Sequence, residues 1–282
     1  MGSALLYGAA DFTGGLTTRR ASTIPVVLLS QGTGLALLAS ILPLLPHASP
    51  GRADLLWGAA AGLTGGIGVA LLYQALAIGT MAVVAPTTAV CAVAIPVVVS
   101  VLLGERPVPL AVAGIALGML SIVLVSRQQG GTEPQGDAPA SRRSRQSAVG
   151  TALASGIAIG FFLLSLAQTG SEAGMWPLLV ARLVSASLFG VMAFASGRSI
   201  RMPARVTALA AGAGVMDMLA NALYLLATRQ GPLSIVVTLS SLYPASTVLL
   251  ARIVLGERLQ PWQITGVGCA LAAVVLIVSG GR

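Results

Sequence analysis

Leu103-Gly104-Glu105-Arg106 and Leu255-Gly256-Glu257-Arg258 are the same four residues, set 152 positions apart, from 103 to 255. The same offset, carried along the chain without a gap, places Gly8 on Gly160, Pro25 on Pro177, Gly62 on Gly214, Ala75 on Ala227, Gly79 on Gly231 and Gly114 on Gly266. A constant offset from one end to the other marks a unit of about half the chain that is present twice. What kind of unit it is depends on the residues between the matches.

Those residues are overwhelmingly apolar. The 282-residue chain is 56% hydrophobic and only 9% charged, with a mean hydropathy of +0.91, whereas soluble domains carry about 25% charged residues. This composition predicts an all-α integral membrane protein. The basic excess, 16 Lys+Arg against 8 Asp+Glu, consists entirely of arginine. Most of these arginines lie between apolar runs, and no basic stripe with interleaved aromatics accompanies them, so loop anchoring accounts for them better than nucleic acid. Cys91 and Cys269 each lie inside an apolar run away from other thiols and read as small buried residues. His47, the single histidine, falls between Pro46 and Pro50 in a loop. Hydrolytic, metal and cofactor chemistry therefore have little to draw on, and the expectation is a protein that is not an enzyme and holds no cofactor.

A membrane span needs about 20 mainly apolar residues. Ten stretches qualify, at about 3–18, 24–45, 54–75, 82–103, 107–126, 147–168, 175–196, 204–228, 232–255 and 260–280. The first lacks the positive flank and small-residue cleavage site of a signal peptide and reads as a helix. Glycines inside the spans, such as Gly62, Gly65, Gly66 and Gly68, and the pair Gly114/Gly118 with its counterpart Gly266/Ala270, read as faces where helices pack closely. A polar linker at 127–147, with Arg142, Arg143 and Arg145, separates a first repeat at 1–126 from a second at 148–282. Five spans followed by five more make the second unit enter from the opposite side. The expectation is ten transmembrane helices as two inverted five-helix repeats, an arrangement typical of secondary transporters.

At this point the chain resembles the EamA-type transporters of the drug/metabolite transporter superfamily. The residues that carry the resemblance in the first unit are Tyr7-Gly8, Asp11-Phe12, Ala85-Pro86, Pro96 and Leu103-Gly104-Glu105-Arg106 followed by Gly114. In the second they are Ser240-Ser241-Leu242-Tyr243-Pro244 with Thr247, then Leu255-Gly256-Glu257-Arg258, Gln263 and Gly266. The resemblance covers essentially the whole chain and implies a central cavity among helices 1–4 and 6–9, with helices 5 and 10 at the periphery. It also implies termini in the cytoplasm. The arginine that such proteins often carry in the second helix of a repeat is present as Arg182, while the offset puts Ser30 at the equivalent place, so the halves are chemically unequal.

Charges inside a bilayer cost about 2.5–3.5 kcal/mol or more and call for a partner or a job. Asp11, Arg182, Asp217 and, nearer a helix end, Arg252 are the candidates. Asp217, Asn221 and Tyr224 share one helix face. Together with Asp11, Arg182 and Gln74 beside Tyr73, they form the expected substrate and proton pathway. The alternative is an Asp217–Arg182 pair that only holds two helices together, and Gln74 and Gln31 serve equally well as bridges between helices. Trp57, Trp176 and Trp262 fall near span ends and read as interfacial anchors. Pro86, Pro96 and Pro244 predict kinks. Glu105-Arg106 and Glu257-Arg258 read as charged turns between helices, without transport chemistry.

Arg19, Arg20, Arg127, Arg142, Arg143, Arg145, Arg198, Arg201, Arg205 and Arg258 fall in odd-numbered loops, against Arg52, Arg106, Arg229 and Arg282 on the other side. By the positive-inside rule both termini lie outside, opposite to what the resemblance implies; the two orientations stay open. With no Gly-x-x-x-x-Gly-Lys motif and no lysine, ATP is not the driver. The expected function is a secondary active transporter, monomeric or homodimeric in the plasma membrane, moving a small metabolite or drug-like solute by alternating access, driven by protons or by the solute's own gradient. A non-transporting sensor or structural protein and an enzyme on lipid-linked substrates are the alternatives.

Overall fold

The computed structural model describes residues 2–102, 109–126, 138–197, 200–230, 243–257 and 260–280. Among them all regular structure is helical. The α-helices are α1 (Gly2–Thr18), α2 (Thr23–Ile41), α3 (Arg52–Ile78), α4 (Met81–Leu102), α5 (Pro109–Ser126), α6 (Ala138–Ala167), α7 (Trp176–Ala195), α8 (Ala204–Gln230), α9 (Tyr243–Leu255) and α10 (Pro261–Gly280). In a bilayer a helix satisfies its own backbone donors and acceptors, which an isolated strand cannot do. Long apolar runs without lateral pairing partners therefore become helices.

Five helical stretches are long and apolar enough to cross a membrane: Thr23–Leu44, Arg52–Ile78, Gln146–Ala167, Trp176–Ala195 and Ala204–Tyr224. Met81–Pro96, Val112–Ser121, Tyr243–Leu255 and Ile264–Ser279 are apolar but shorter as described. The main departure from expectation is at α6, which begins at Ala138 and so takes the second part of the polar linker into a helix. Alanine and arginine are both good helix formers, so a basic stretch can extend an apolar helix beyond the bilayer. The rest of the linker, the first Leu-Gly-Glu-Arg copy, Ser240-Ser241-Leu242 and Arg258 lie outside the described residues. Pro86 and Pro96 lie inside α4 as expected, and Pro244 falls in the first turn of α9 as described.

Close packing rests on glycine. Along α3, Gly58, Gly62 and Gly66 recur every fourth residue and meet Pro177, Ala181 and Ser185 of α7. Gly65 and Gly68, a little further round the same helix, meet Phe162 and Ile159 of α6. Elsewhere in the bundle Gly114 of α5 closes on Ala273 and Ile277 of α10, and Gly118 on Val90 of α4. Without a hydrophobic drive between helices in lipid, such backbone approach is what holds them. The packing partners are α3 with α6 and α7, α1 with α8 and α9, α2 with α7 and α8, α4 with α6, and α5 with α10. A β-carbon at Gly62 would lie 2.5 Å from the Ala181 carbonyl oxygen and 2.8 Å from its Cα, both backbone atoms. Gly62→Ala is therefore expected to force α3 and α7 apart and cost about 1–3 kcal/mol. Thermal unfolding in detergent would read this as a lower midpoint, and an unchanged midpoint would contradict the packing.

Two polar contacts tie the opposite ends of α3. At its start the Asp54 carboxylate accepts from Gly51 N–H and Gly170 N–H, both at 2.8 Å, and Ser49 N–H donates to the Glu172 carbonyl. At its far end Arg19 donates to the carbonyls of Leu76 and Gly79, each at 3.2 Å, and pairs with Glu257 at 3.4 Å. Glu257 in turn accepts from Met81 N–H and Ala82 N–H, both at 3.1 Å. A carboxylate on the first two amides of α4 satisfies donors that have no partner within the helix and sits at the positive end of its dipole. The charged turn thus does more than separate α9 from α10: it caps a helix of the other half. Gly256, at φ +65°, makes the left-handed turn that presents it.

Candidate functional site

The helices enclose a cavity of about 250 Å³. Its walls come from both halves of the chain: α1, α2, α3 and α4 from the first, and α6, α7, α8 and α9 from the second. The lining runs to Leu166 and Leu178, at the adjoining ends of α6 and α7. Towards the Arg19–Glu257 contact it stops at Asp11, Leu72 and Ala89, well inside the helices. The cavity therefore approaches one end of the bundle and is shut off from the other.

Most of the wall is glycine, valine, leucine and alanine, and the polar groups converge at one place. Arg182, buried at 7% exposure, donates to the Asp217 carboxylate through one terminal nitrogen and to Gln31 Oε1 through the other. Gly34 of α2 lies beside the guanidinium, where a β-carbon would make ordinary contact with Arg182 Cζ at 3.7 Å. Asn221 donates from Nδ2 to the Asp217 carbonyl at 2.8 Å, one turn along α8. Tyr224 lines the same face. Tyr7 and Asp11, four residues apart on α1, line the cavity from the helix packed directly against α8. The Tyr7 ring meets that of Tyr243 at 6.2 Å between centroids in an edge-to-face arrangement. Ser185 contributes a buried hydroxyl oxygen with no partner among the described residues.

Of the residues anticipated from sequence, Asp11, Arg182, Asp217, Asn221 and Tyr224 all line this cavity. Gln74 does not, and its side chain is exposed on the outside of α3. The cavity side of that helix is set by Ala61, Gly62, Gly65, Gly66, Val69 and Leu72, and two residues beyond Leu72 is about 200° round the helix. Tyr73 is buried against Gly14 of α1 and is not part of the lining. Arg252 is exposed in the last turn of α9, where a cation suits the helix dipole and needs no buried partner. Gln31, left out of the expected pathway in favour of Gln74, lines the cavity and is buried on Arg182. Trp57 and Trp176 are exposed near the starts of α3 and α7, and Trp262 is the second residue of α10. Tyr7, Ser185 and Phe162 joined the lining without having been singled out for it. The spacing of Tyr7 from Asp11 was the available signal for the first.

A family model matches residues 1–127 and 146–279, nearly the whole chain, and it is that of the EamA-like transporter family. The chain belongs to the EamA-like transporter family. This EamA-like protein is thus a multi-pass membrane protein of a transporter family. Among solved structures, one described only as "Crystal structure of protein" has the same fold at a TM-score of 0.63, with 17% identity over 97% of this chain and 93% of that chain. At that identity the likeness speaks for the fold alone. No curated protein matches the chain. In this EamA-like chain, groups of three or more His, Cys, Asp or Glu that could hold a metal are absent among the described residues.

Proposed function

We propose that the protein is a secondary active transporter that carries a small solute through the central cavity by alternating access, coupled to protons. The observation that carries this reading is a cavity with converging polar groups in the middle of an apolar bundle, walled by both halves and closed towards one end. The packing supports inverted repeats: shifting each helix by five exchanges α1 on α8 with α6 on α3, and α1 on α9 with α6 on α4, and leaves α2 on α7 and α5 on α10 as self-matched pairs. Two like halves that exchange conformations turn one open end into the other. The Arg19–Glu257 contact is then the closure of one end, and the turn around Asp54 and Gly170 belongs to the end the cavity approaches.

Proton exchange falls to Asp11. The Asp217 carboxylate is engaged by the Arg182 guanidinium, which offsets its charge. Asp11 has no such partner among the described residues. The test is flux. Vesicles containing the protein are expected to accumulate members of a broad metabolite panel several-fold faster than empty vesicles under an imposed proton gradient. An uncoupler should abolish the difference, and Gln74→Ala should transport like the wild type. Flux that never depends on the protein would reject transport, and flux indifferent to the uncoupler would reject proton coupling.

A further inference from the structure

The balance of charge inside the cavity constrains what enters it. Asp11, Asp217 and Arg182 are its charged side chains. Arg182 is already committed, with one terminal nitrogen on Asp217 and the other on Gln31. Asp11 has neither a hydrogen bond nor an ion pair among the described residues. One carboxylate is therefore left over in a largely apolar enclosure, where an uncompensated charge is costly and a ligand of opposite sign relieves the cost. The surroundings favour the same sign. Tyr7, Tyr224, Tyr243 and Phe162 all line the cavity, and aromatic faces attract cations.

An anion would meet the Asp11 carboxylate with no free cation to offset it. A zwitterion's carboxylate would have to share the one guanidinium with the Asp217 carboxylate and Gln31, and would meet a second negative charge beside it. We infer that the cavity takes a small organic monocation, an ammonium head on an apolar body, with Asp11 as its counter-charge and the tyrosines around the head. The inference rests on the transporter reading only in treating the occupant as the transported solute.

The experiment compares benzyltrimethylammonium, phenylacetate and phenylalanine, similar apolar bodies carrying a positive, a negative and a zwitterionic head. Binding is measured by titration calorimetry on the detergent-purified full chain, and uptake with labelled probes in proteoliposomes. The cation is expected to bind at least roughly tenfold more tightly than either other probe. Asp11→Asn should lose at least roughly tenfold of that affinity, and Asp11→Glu should keep it within a few-fold. Equal or tighter binding of phenylacetate or phenylalanine overturns the assignment, as does unchanged cation binding in a folded Asp11→Asn protein, or no binding of the cation at all. Should Asp11→Asn fail to survive extraction, the wild-type comparison of the three heads decides alone. Cation binding without uptake would support the assignment and count against transport. Uptake of phenylacetate or phenylalanine in preference to the cation would do the reverse.

Discussion

Arg182→Met is expected to lower stability by about 3–5 kcal/mol, the usual cost of removing one partner of a buried pair. The size follows from what is left behind. With the guanidinium gone, the Asp217 carboxylate and the Gln31 carbonyl oxygen both lose their donor inside the bundle. Asp217 is only 18% exposed at its side chain, so water compensates little. Removing both charges has a different expected outcome, because two apolar side chains of similar volume leave no orphaned charge and only the neutral Gln31 amide without its donor. Arg182→Met with Asp217→Leu should recover most of the lost midpoint in detergent while abolishing any flux that needs the polar cluster. A single variant that melts with the wild type would show that the pair contributes nothing to folding, and a double variant worse than the single would show that the charges act separately.

Glu257→Gln is expected to open the closed end. The carboxylate holds two amides at the start of α4 and the Arg19 guanidinium, and hydrogen bonds to charged groups are worth about 1.5–3 kcal/mol each. Glutamine keeps one acceptor oxygen but loses the charge, so a shift of about 2 kcal/mol, roughly 30-fold in the ratio of closed to open, is the expected size. The readout is a cysteine in the cavity wall, Val93→Cys, in a chain with Cys91→Ala and Cys269→Ala. A membrane-impermeant maleimide is applied to vesicles of each orientation. Before the change, labelling from the Arg19 end should be slow; after it, labelling from that end should rise about tenfold or more. Equal labelling before and after would mean that Glu257 is a local cap and no part of a closure.

The membrane class and helix positions were legible because apolar run length is a one-dimensional property and lipid allows few alternatives to a helix. The Asp217, Asn221 and Tyr224 face was legible because helical spacing alone groups these residues. What could not be read was choice among faces of different helices. Gln31 and Gln74 are both isolated amides in apolar spans, and only the packing of α2 against α7 puts Gln31 beside Arg182. The glycines of α3 carried information that bore on Gln74, since the side that packs against α6 and α7 excludes a residue about 200° away. Glu257 was read as a turn because its partners, Met81 and Ala82, are remote in sequence. A cap supplied from another half of the chain leaves no local pattern.

The glycine contacts of α3 bear on how the chain is assembled. They fasten α3 to α6 and α7, beyond the linker, and α1 likewise packs on α8 and α9. Each half made alone would carry a ridge of bare backbone with only lipid to cover it. Two separately encoded halves would consequently have to find each other in the bilayer before either was stable, and joining them in one polypeptide turns that search from a bimolecular encounter into a local one.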